Sequence, residues 1–251
     1  MDKQMKPKQN LGLYERQAQY YDAIYAAQGK DYPKEARQIH DEIEKHKKSS
    51  GNALLDVGCG TGGHFPFLNE WYQTEGLDLD GHMLAVARSR FPDATFHQGD
   101  MSDFDLGKQF DAVTCLFSAI GYTKTPEKMQ AAIASMARHV SPGGVLLVEP
   151  WFAPEQWKAK LGRPSVTNVD QPELKITRMN VSEMEGNVSI LNFHFLVATP
   201  GHMEHFTEKH ELGLFTEDEY IKGFMDAGLE VTHDPKGLTG RGLYIGTKRS
   251  P

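Results

Sequence analysis

A short apolar run that ends in a glycine-rich turn constrains the fold of this 251-residue chain more than any other feature. Residues 54–57 read Leu-Leu-Asp-Val, the pattern of a buried strand, and residues 58–63 continue at once as Gly-Cys-Gly-Thr-Gly-Gly. Glycines at a strand-to-helix turn permit tight backbone geometry and let a ligand approach the helix N-terminus closely. The segment therefore predicts the first strand and turn of an α/β sheet, with a ligand at that turn.

Strand-like and helical patterns alternate from this point to residue 149. A second strand is predicted to end at residues 77–79. Three further strands are predicted at residues 95–97, 110–114 and 144–148. Helical patterns occupy residues 83–87 and 129–140 between them. This alternation is typical of a parallel sheet with helices on both faces. We therefore predict an α/β fold with a Rossmann-like sheet.

The alternation stops after Glu149. Residues 188–198 and 204–214 read as strands joined by a turn at Pro200-Gly201, which indicates an inserted antiparallel β layer. A helix with a Thr216–Glu219 capping box is predicted at residues 216–227, and a last strand at 242–246. The domain prediction has four parts: a mobile tail at 1–10, an α/β core with an N-terminal helical lid at 11–150, the antiparallel insertion on the acceptor side at 151–215, and a return to the core at 216–251.

Composition excludes several classes of function. A net charge of −7 without a basic patch argues against nucleic acid as the main partner. Two cysteines, Cys59 and Cys115, are too few for a disulfide framework and favour a reducing compartment. Residues 1–10 lack the apolar run of a signal peptide, and no stretch approaches 18 apolar residues. We expect a soluble, cytoplasmic protein without a membrane partner.

The glycine turn alone leaves two cofactors open. Gly58, Gly60 and Gly63 satisfy the G-x-G-x-x-G spacing, and Asp78 follows Gly58 by 20 residues, so NAD is one candidate. Asp56, however, precedes the first glycine, where a carboxylate would repel a pyrophosphate and favour the ammonium of S-adenosylmethionine (SAM).

Two more acids at strand ends favour SAM over NAD. Asp78 can accept hydrogen bonds from two ribose hydroxyls. Asp100, after the third strand, can accept a hydrogen bond from an adenine amino group. Ligands of open α/β sheets bind at these carboxyl ends, so SAM is the predicted cofactor.

These motifs carry a resemblance to a known family. Residues 54–62, residues 76–80 and Met83-Leu84 resemble the class I SAM-dependent methyltransferases. A narrower resemblance covers nearly the whole chain and rests on residues 29–32, 97–101, 110–118, 149–151, 205–206, His210, 214–215 and 240–243. These are similar to the N,N-dimethyltransferases of dTDP-linked 3-amino-3,6-dideoxyhexoses, of the desosamine and mycaminose type. The resemblance implies a seven-stranded sheet, an antiparallel layer that helps hold the sugar nucleotide, and Tyr21, Lys30 and Tyr32 close to SAM or substrate.

The predicted site follows from the motifs and the resemblance together. The cofactor-binding residues are predicted to be Tyr21, Lys30, Tyr32, Asp56, Gly58, Cys59, Gly60, Thr61, Asp78, Leu79, Met83, Asp100, Met101 and Leu116. The substrate-binding residues are predicted to be Tyr14, Phe117, Tyr122, Trp151, His194 and Arg241. Tyr14, Tyr21 and Tyr25 stand seven and four residues apart and are expected on one helix face. Arg241, between two glycines, is the candidate for a pyrophosphate because a guanidinium matches phosphate geometry.

The chain departs from the subgroup at Tyr122, where a histidine commonly follows Ser-Ile-Gly. A tyrosine, with a pKa near 10, is a poor base at neutral pH, whereas a histidine has a pKa near 6.5. We therefore assign Tyr122 to orientation of the acceptor and expect Tyr122→Phe to lower the rate by about tenfold or less.

The predicted function is SAM-dependent N-methylation of a nucleotide-linked amino-deoxysugar, with two methyl transfers possible. No Cys/His cluster has metal-ligand spacing, so no metal is expected. Three alternatives stay open: a methyltransferase of another small amine, hydroxyl or carbon nucleophile, an NAD-dependent oxidoreductase, and a non-catalytic SAM-binding protein. The expected partner is a small-molecule acceptor, and the expected assembly is a monomer or homodimer.

Overall fold

The computed structural model describes Tyr14 and residues 16–250, so the predicted tail at 1–10 lies outside the described residues. Strands and helices alternate in the first part of the chain. The strands are β1 (Ala53–Val57), β2 (Gln73–Asp78), β3 (Thr95–Gln98), β4 (Phe110–Cys115) and β5 (Val140–Val148). The helices are α1 (Tyr21–Ala27), α2 (Tyr32–His46), α3 (Phe65–Leu68), α4 (Gly81–Arg90) and α5 (Pro126–Arg138), with 3-10 segments at Ala18–Tyr20 and Ala119–Thr123.

The second part of the chain begins with a short helix, α6 (Pro154–Lys158). Four long strands follow: β6 (Pro164–Gln171), β7 (Leu174–Glu185), β8 (Val188–Thr199) and β9 (His202–Gly213). Helix α7 (Glu217–Asp226) and strands β10 (Leu229–Asp234) and β11 (Leu243–Lys248) complete the described chain.

The strands form a seven-stranded and a four-stranded sheet. The larger sheet has the order β3-β2-β1-β4-β5-β11-β10, with β11 antiparallel to both of its neighbours and β1 to β5 parallel. The smaller sheet, β6-β7-β8-β9, is antiparallel throughout. The predicted Rossmann-like sheet with an inserted antiparallel layer is confirmed.

Local sequence explains where the elements form. Strand β1 is apolar on both faces, and Leu54, Leu55 and Val57 are fully buried between the flanking helices. Helix α5 starts after Thr125, whose hydroxyl accepts a hydrogen bond from the Lys128 amide. The predicted capping box of α7 and the turn at residues 200–201 are both present.

The four-stranded sheet presents an aromatic inner face. On β8, Phe193, Phe195 and Val197 are buried against one face, while His194 and Leu196 alternate onto the exposed face. Ile24 of α1 packs into this apolar layer. The N-terminal segment therefore joins the second sheet to the carboxyl edge of the first.

The described part of the chain contains no helix with the length and apolarity needed to span a membrane.

Candidate active site

A cavity of about 1100 Å³ lies between the carboxyl edge of the large sheet and the inner face of the four-stranded sheet. Its walls include the glycine turn after β1, the end of β2, the loop after β4 and residues of β7 to β9. The N-terminal tyrosines also contribute to it. Segments that are far apart in the chain thus converge on one space large enough for two ligands.

The glycine turn is open toward this cavity at one position. Gly60 has a φ of +55°, which suits glycine, and no atom lies within 4 Å of the place where a Cβ would stand. Its amide donates a hydrogen bond of 2.7 Å to Asp78 Oδ2. At Gly58, by contrast, a Cβ would lie 2.5 Å from Ala119 Cβ. The turn therefore forms a cradle that needs glycine at both positions.

Asp78 is placed as an acceptor for hydroxyl groups. Its Oδ1 accepts from the Asp80 amide at 2.9 Å, and its Oδ2 accepts from Gly60, so each carboxylate oxygen retains a further lone pair. Burial raises the pKa of this carboxyl group. Leu79, which is 65% exposed, and the buried Met83 lie beside it at the cavity wall. The cradle and this carboxylate together fit a nucleoside such as that of SAM.

Asp100 lies further along the same edge. Its Oδ1 accepts hydrogen bonds from the amide and hydroxyl of Ser102, which lower the pKa of the carboxyl group. Met101 and Leu116 complete this apolar and acidic part of the wall.

Four predicted cofactor residues lie behind the wall and do not line the cavity. Asp56 is 2% exposed and accepts a hydrogen bond of 2.8 Å from the Thr114 hydroxyl, and burial raises its pKa to about 6. Thr61 is 1% exposed and donates to Asp22, while Cys59 is also buried. The Tyr32 ring packs against His64, with ring centroids 4.9 Å apart. Asp56, Cys59 and Thr61 are therefore next to the glycines in sequence without lining the cavity, because their side chains are buried away from it.

Lys30 connects the cavity to a buried acidic group. Its Nζ lies 2.6 Å from Glu35 Oε2 and 3.7 Å from the centroid of the Phe117 ring, and its side chain is 3% exposed. Glu35 Oε2 is also 3.0 Å from His64 Nε2. Burial lowers the pKa of Lys30, although Glu35 opposes this effect. Lys30 thus lines the cavity as an anchored cation.

Hydrogen bonds between the polar atoms of three aromatic side chains lie at one end of the cavity. The Tyr14 and Tyr122 hydroxyl oxygens are 2.5 Å apart, and Tyr122 Oη is 2.7 Å from His210 Nδ1. The Tyr21 ring lies 6.1 Å from Tyr14 and 4.5 Å from Tyr25. The expectation that the tyrosines share one helix face is corrected here: Tyr14 lies in a turn before the first 3-10 segment, and packing alone brings it to the others.

His210 was missed as a site residue because its sequence neighbours suggest only a strand. The sequence pattern that could have identified His210 is its even spacing from Phe206, which places both side chains on the same face of β9. Both are buried on the inner face.

Two arginines reach the cavity in different electrostatic states. Arg241 is paired: its Nη2 lies 3.1 Å from Glu149 Oε1, and the Glu149 side chain is fully buried. Arg178 on β7 is 5% exposed and lies 4.4 Å from the centroid of the Phe193 ring. Its Nη1 has no hydrogen-bond partner among the residues that the structure describes. Sequence analysis missed Arg178, since an isolated arginine in a strand pattern looks like a surface residue.

The remaining substrate predictions divide into two groups. Phe117 and Trp151 line the cavity together with Tyr14, Tyr122 and Arg241. His194 does not: strand alternation turns it to the exposed face of β8, where it stacks on His205 with centroids 5.8 Å apart. The structure therefore places His194 outside this cavity, on the opposite face of the sheet. Across Tyr14 and residues 16–250, no group of three or more His, Cys, Asp or Glu side chains is arranged to hold a metal ion.

Comparison with known proteins agrees with this geometry. The family described as "Methyltransferase domain" matches residues 54–144. The chain is 45% identical, over 91% of its length and 96% of the relative's, to the dTDP-3-amino-3,4,6-trideoxy-alpha-D-glucopyranose N,N-dimethyltransferase of Streptomyces venezuelae.

Solved structures give the same result. DesVI of Streptomyces venezuelae superposes with a TM-score of 0.87 at 43% identity, covering 92% of this chain and 98% of that one. SAM-bound CalS10, an amino pentose methyltransferase from Micromonospora echinaspora, superposes with a TM-score of 0.82 at 38% identity, covering 96% and 99%. This similarity decides between the cofactors that the glycine spacing left open. The chain is an enzyme that uses SAM, and it belongs to the family of dTDP-aminodeoxysugar N,N-dimethyltransferases.

Proposed function

We propose that this protein methylates the amino group of a dTDP-linked amino-deoxysugar, twice in succession, with SAM as methyl donor. The observation that carries the proposal is one continuous cavity, which has the glycine cradle and Asp78 on the side of the large sheet and Arg178 on the side of the four-stranded sheet. The relative named above acts on a nucleotide-linked 3-amino sugar and is a dimethyltransferase, so a 3-amino sugar is the first acceptor to test.

At the cofactor end, Gly60 leaves room for the ligand and Asp78 accepts from ribose hydroxyls. Asp100, Leu79 and Met83 would hold the adenosine, and Tyr21 and Lys30, which line the cavity, would hold the opposite part of the ligand. SAM, when bound, supplies a methyl group on a sulfonium that is already a good leaving group. The chain's contribution is to hold the acceptor nitrogen in line with that methyl group, and such positioning is worth up to roughly 7–11 kcal/mol in well-oriented reactions.

At the acceptor end, Arg178 binds the diphosphate. A buried guanidinium with an unpaired donor is costly until an anion pairs with it, and phosphate oxygens match its geometry. Arg241 offers a second donor, because its Nε is also buried without a partner among the described residues, while its Nη2 pairs with Glu149. Trp151 and Phe117 form apolar walls for the sugar or the base.

The acceptor assignment is tested by incubating the protein with SAM and a matched panel. The panel contains dTDP-3-amino-3,6-dideoxy and 3,4,6-trideoxy hexoses, the 4-amino isomer, the free amino sugar and dTDP-glucose, which has no amine. We expect mass gains of one and then two methyl groups on a 3-amino nucleotide sugar, and none on dTDP-glucose. Methylation of other small amines, with no gain on any dTDP-amino sugar, would show that the acceptor proposal is wrong.

The assembly and location remain part of the proposal. We propose a monomer or homodimer that works in the cytoplasm on a small molecule and not on nucleic acid. Light scattering of the purified protein, and its mobility with and without a DNA or RNA duplex, test these points.

A further inference from the structure

Four polar side chains from three separate segments form a continuous line beside the cavity. Tyr14 Oη is 2.5 Å from Tyr122 Oη, which is 2.7 Å from His210 Nδ1. The other ring nitrogen of His210, Nε2, faces Glu208 Oε2 at 3.5 Å. Both atoms are buried, and neither has a hydrogen-bond partner within the described part of the chain, so they face each other as a charge contact and not as a hydrogen bond.

The carboxylate at the end of this line sets the direction of its hydrogen bonds. Glu208 Oε1 accepts from the Gln17 backbone amide, and Oε2 faces His210 Nε2. The negative carboxylate repels the lone pair of a bare ring nitrogen and attracts an N–H group, so the favoured neutral tautomer of His210 carries its proton on Nε2. His210 Nδ1 must then accept the proton of the Tyr122 hydroxyl.

Tyr122 consequently has an acceptor position left. A phenol oxygen donates one hydrogen bond and accepts two. His210 receives the donated bond and Tyr14 supplies one accepted bond, while Tyr122 itself lines the cavity.

We propose that Tyr122 passes a proton from the acceptor ammonium to His210, with Glu208 stabilising the imidazolium that results. This inference rests on the proposed function, since it requires an amine acceptor. An aliphatic amine is largely protonated at neutral pH and has no lone pair to attack a methyl group until it loses that proton.

The step balances in two hops. The ammonium N–H bond breaks, its electron pair stays on nitrogen, and the proton goes to Tyr122 Oη. The original Tyr122 hydroxyl proton moves at the same time to His210 Nδ1, so Tyr122 ends neutral and the imidazolium carries the positive charge. Between turnovers the imidazolium returns its proton to water. A second methylation repeats the cycle, because the monomethyl product is again an ammonium.

Tyr122 alone could not perform this step as a free base. Burial raises the pKa of its hydroxyl, with the neighbouring Tyr25 adding to the effect, so a tyrosinate is unfavourable. His210 is 3% exposed, and its ring contacts Tyr14, Tyr122 and the edge of Phe193, with Glu208 as the facing carboxylate. Arg178 lies over the same Phe193 ring, 4.4 Å from its centroid. Glu208 therefore provides the negative charge that faces the imidazolium formed by the transfer.

The first test needs no substrate. Long-range proton–nitrogen NMR of the imidazole groups, at pH 8 and with His210 assigned by comparison with His210→Asn, reports which nitrogen carries the proton. We expect Nε2 to be protonated and Nδ1 to be bare. Protonation on Nδ1 would reverse the bond to Tyr122 and overturn the proposal.

The second test compares rates across pH. Tyr122→Phe removes one oxygen and keeps the ring, so it should fold, and His210→Asn keeps an acceptor near Nδ1 without a base. For both variants we expect kcat at saturating substrates to fall by roughly 30-fold at pH 7, a larger loss than the tenfold or less expected of Tyr122→Phe if the residue only orients the acceptor. The loss should shrink to about threefold or less at pH 9.5, where the free amine forms unaided. His205→Asn, on the exposed face of the same strand, serves as the matched control.

The outcomes are distinguishable. A loss that is the same at every pH would show that the tyrosine only orients the acceptor, and the relay would be rejected. Glu208→Gln should lower kcat more at pH 7 than at pH 9.5, because the imidazolium loses its facing carboxylate, and a loss of equal size at both pH values would also contradict the relay. If no dTDP-amino sugar is methylated by the wild type, the proposed function fails, while the tautomer measurement still decides the direction of the hydrogen bonds.

Discussion

The fully buried carboxylate of Glu149 lies 3.1 Å from the guanidinium of Arg241, beside the cavity. The same carboxylate accepts a hydrogen bond of 2.6 Å from the Phe117 amide and one from the Thr239 hydroxyl. Phe117 and Ser118 have φ angles of 51° and 64°, a left-handed conformation that is uncommon without glycine. Glu149 therefore ties a strained loop of the cavity wall to the segment that carries Arg241.

Glu149→Gln should destabilise the protein strongly. Three donors converge on the carboxylate, whereas an amide offers one oxygen and an NH₂ group that repels donors. We expect the free energy of unfolding to fall by about 3 kcal/mol, as for loss of one partner of a buried ion pair. Urea denaturation followed by circular dichroism measures this. The exposed Glu155→Gln is the control, and equal stability of the two variants would contradict the assigned role.

Asp78→Asn should weaken cofactor binding. The amide cannot accept on both atoms, so either the Gly60 or the Asp80 amide loses its partner, and a ribose hydroxyl loses an acceptor. Calorimetry with the demethylated cofactor should show a Kd higher by roughly 10- to 100-fold. Asp170→Asn, in an exposed hairpin, should leave the Kd unchanged. Unaltered binding in Asp78→Asn would remove this residue from the site.

Asp56→Asn should stabilise the ligand-free protein in a pH-dependent way. Burial raises the folded-state pKa of Asp56 from 3.8 to about 6, so the folded wild type holds this proton more tightly than the unfolded chain. Protonation of Asp56 therefore contributes to the free energy of unfolding below pH 4, and this contribution is lost as pH rises through 6. By pH 8 the loss amounts to about 3 kcal/mol.

Asp56→Asn has no carboxylate to ionise and does not undergo this loss. The amount by which its free energy of unfolding exceeds that of the wild type should therefore be larger at pH 8 than at pH 5, by roughly 1 kcal/mol. The Asn oxygen can still accept from Thr114. Chemical denaturation at both pH values is the measurement, with the exposed Asp105→Asn as reference. A stability difference between variant and wild type that increases from pH 8 to pH 5 would contradict a raised pKa of Asp56 in the folded protein.

Arg178→Met should separate acceptor binding from cofactor binding. The methionine keeps apolar contact with Phe193 and removes a buried charge with an unpaired donor. We expect the KM for the nucleotide sugar to rise roughly 30-fold or more, with cofactor affinity unchanged and Tm equal or higher. Arg249→Met, at an exposed pair with Glu230, is the control. An unchanged KM in steady-state kinetics would exclude Arg178 from the acceptor site.

The elements predicted from the sequence were those whose formation is local. The apolar run at 54–57, the capping box of Thr216 with Glu219 and the turn at Pro200-Gly201 all form as expected. Each depends on contacts within a few residues, or on burial of a whole strand, so the pattern carries enough information. The acids Asp78 and Asp100 reach the cavity for the same reason, since strand ends of a parallel sheet meet at one edge.

The expected and observed positions differ where a side chain's direction depends on distant segments. Asp56 is next to the glycines in sequence, yet its carboxylate points behind the turn to Thr114. His194 belongs to a strand of the right sheet but to its outer face. Arg178 was not recognised, and His210 contributed to the family resemblance without being predicted as a site residue, because their partners lie on other strands and in the N-terminal segment.

The sequence by itself thus determined the α/β core, the glycine cradle, the acidic strand ends and the family, because these follow from short-range patterns of burial, turn chemistry and motif spacing. Tertiary structure decided which polar groups share the cavity. Tyr122 and His210 are 88 residues apart in the chain, yet Tyr122 Oη lies 2.7 Å from His210 Nδ1. That contact depends on how the strands pair and how the two sheets pack. Both are set by many contacts between residues that are distant in the chain, and no local sequence pattern contains them.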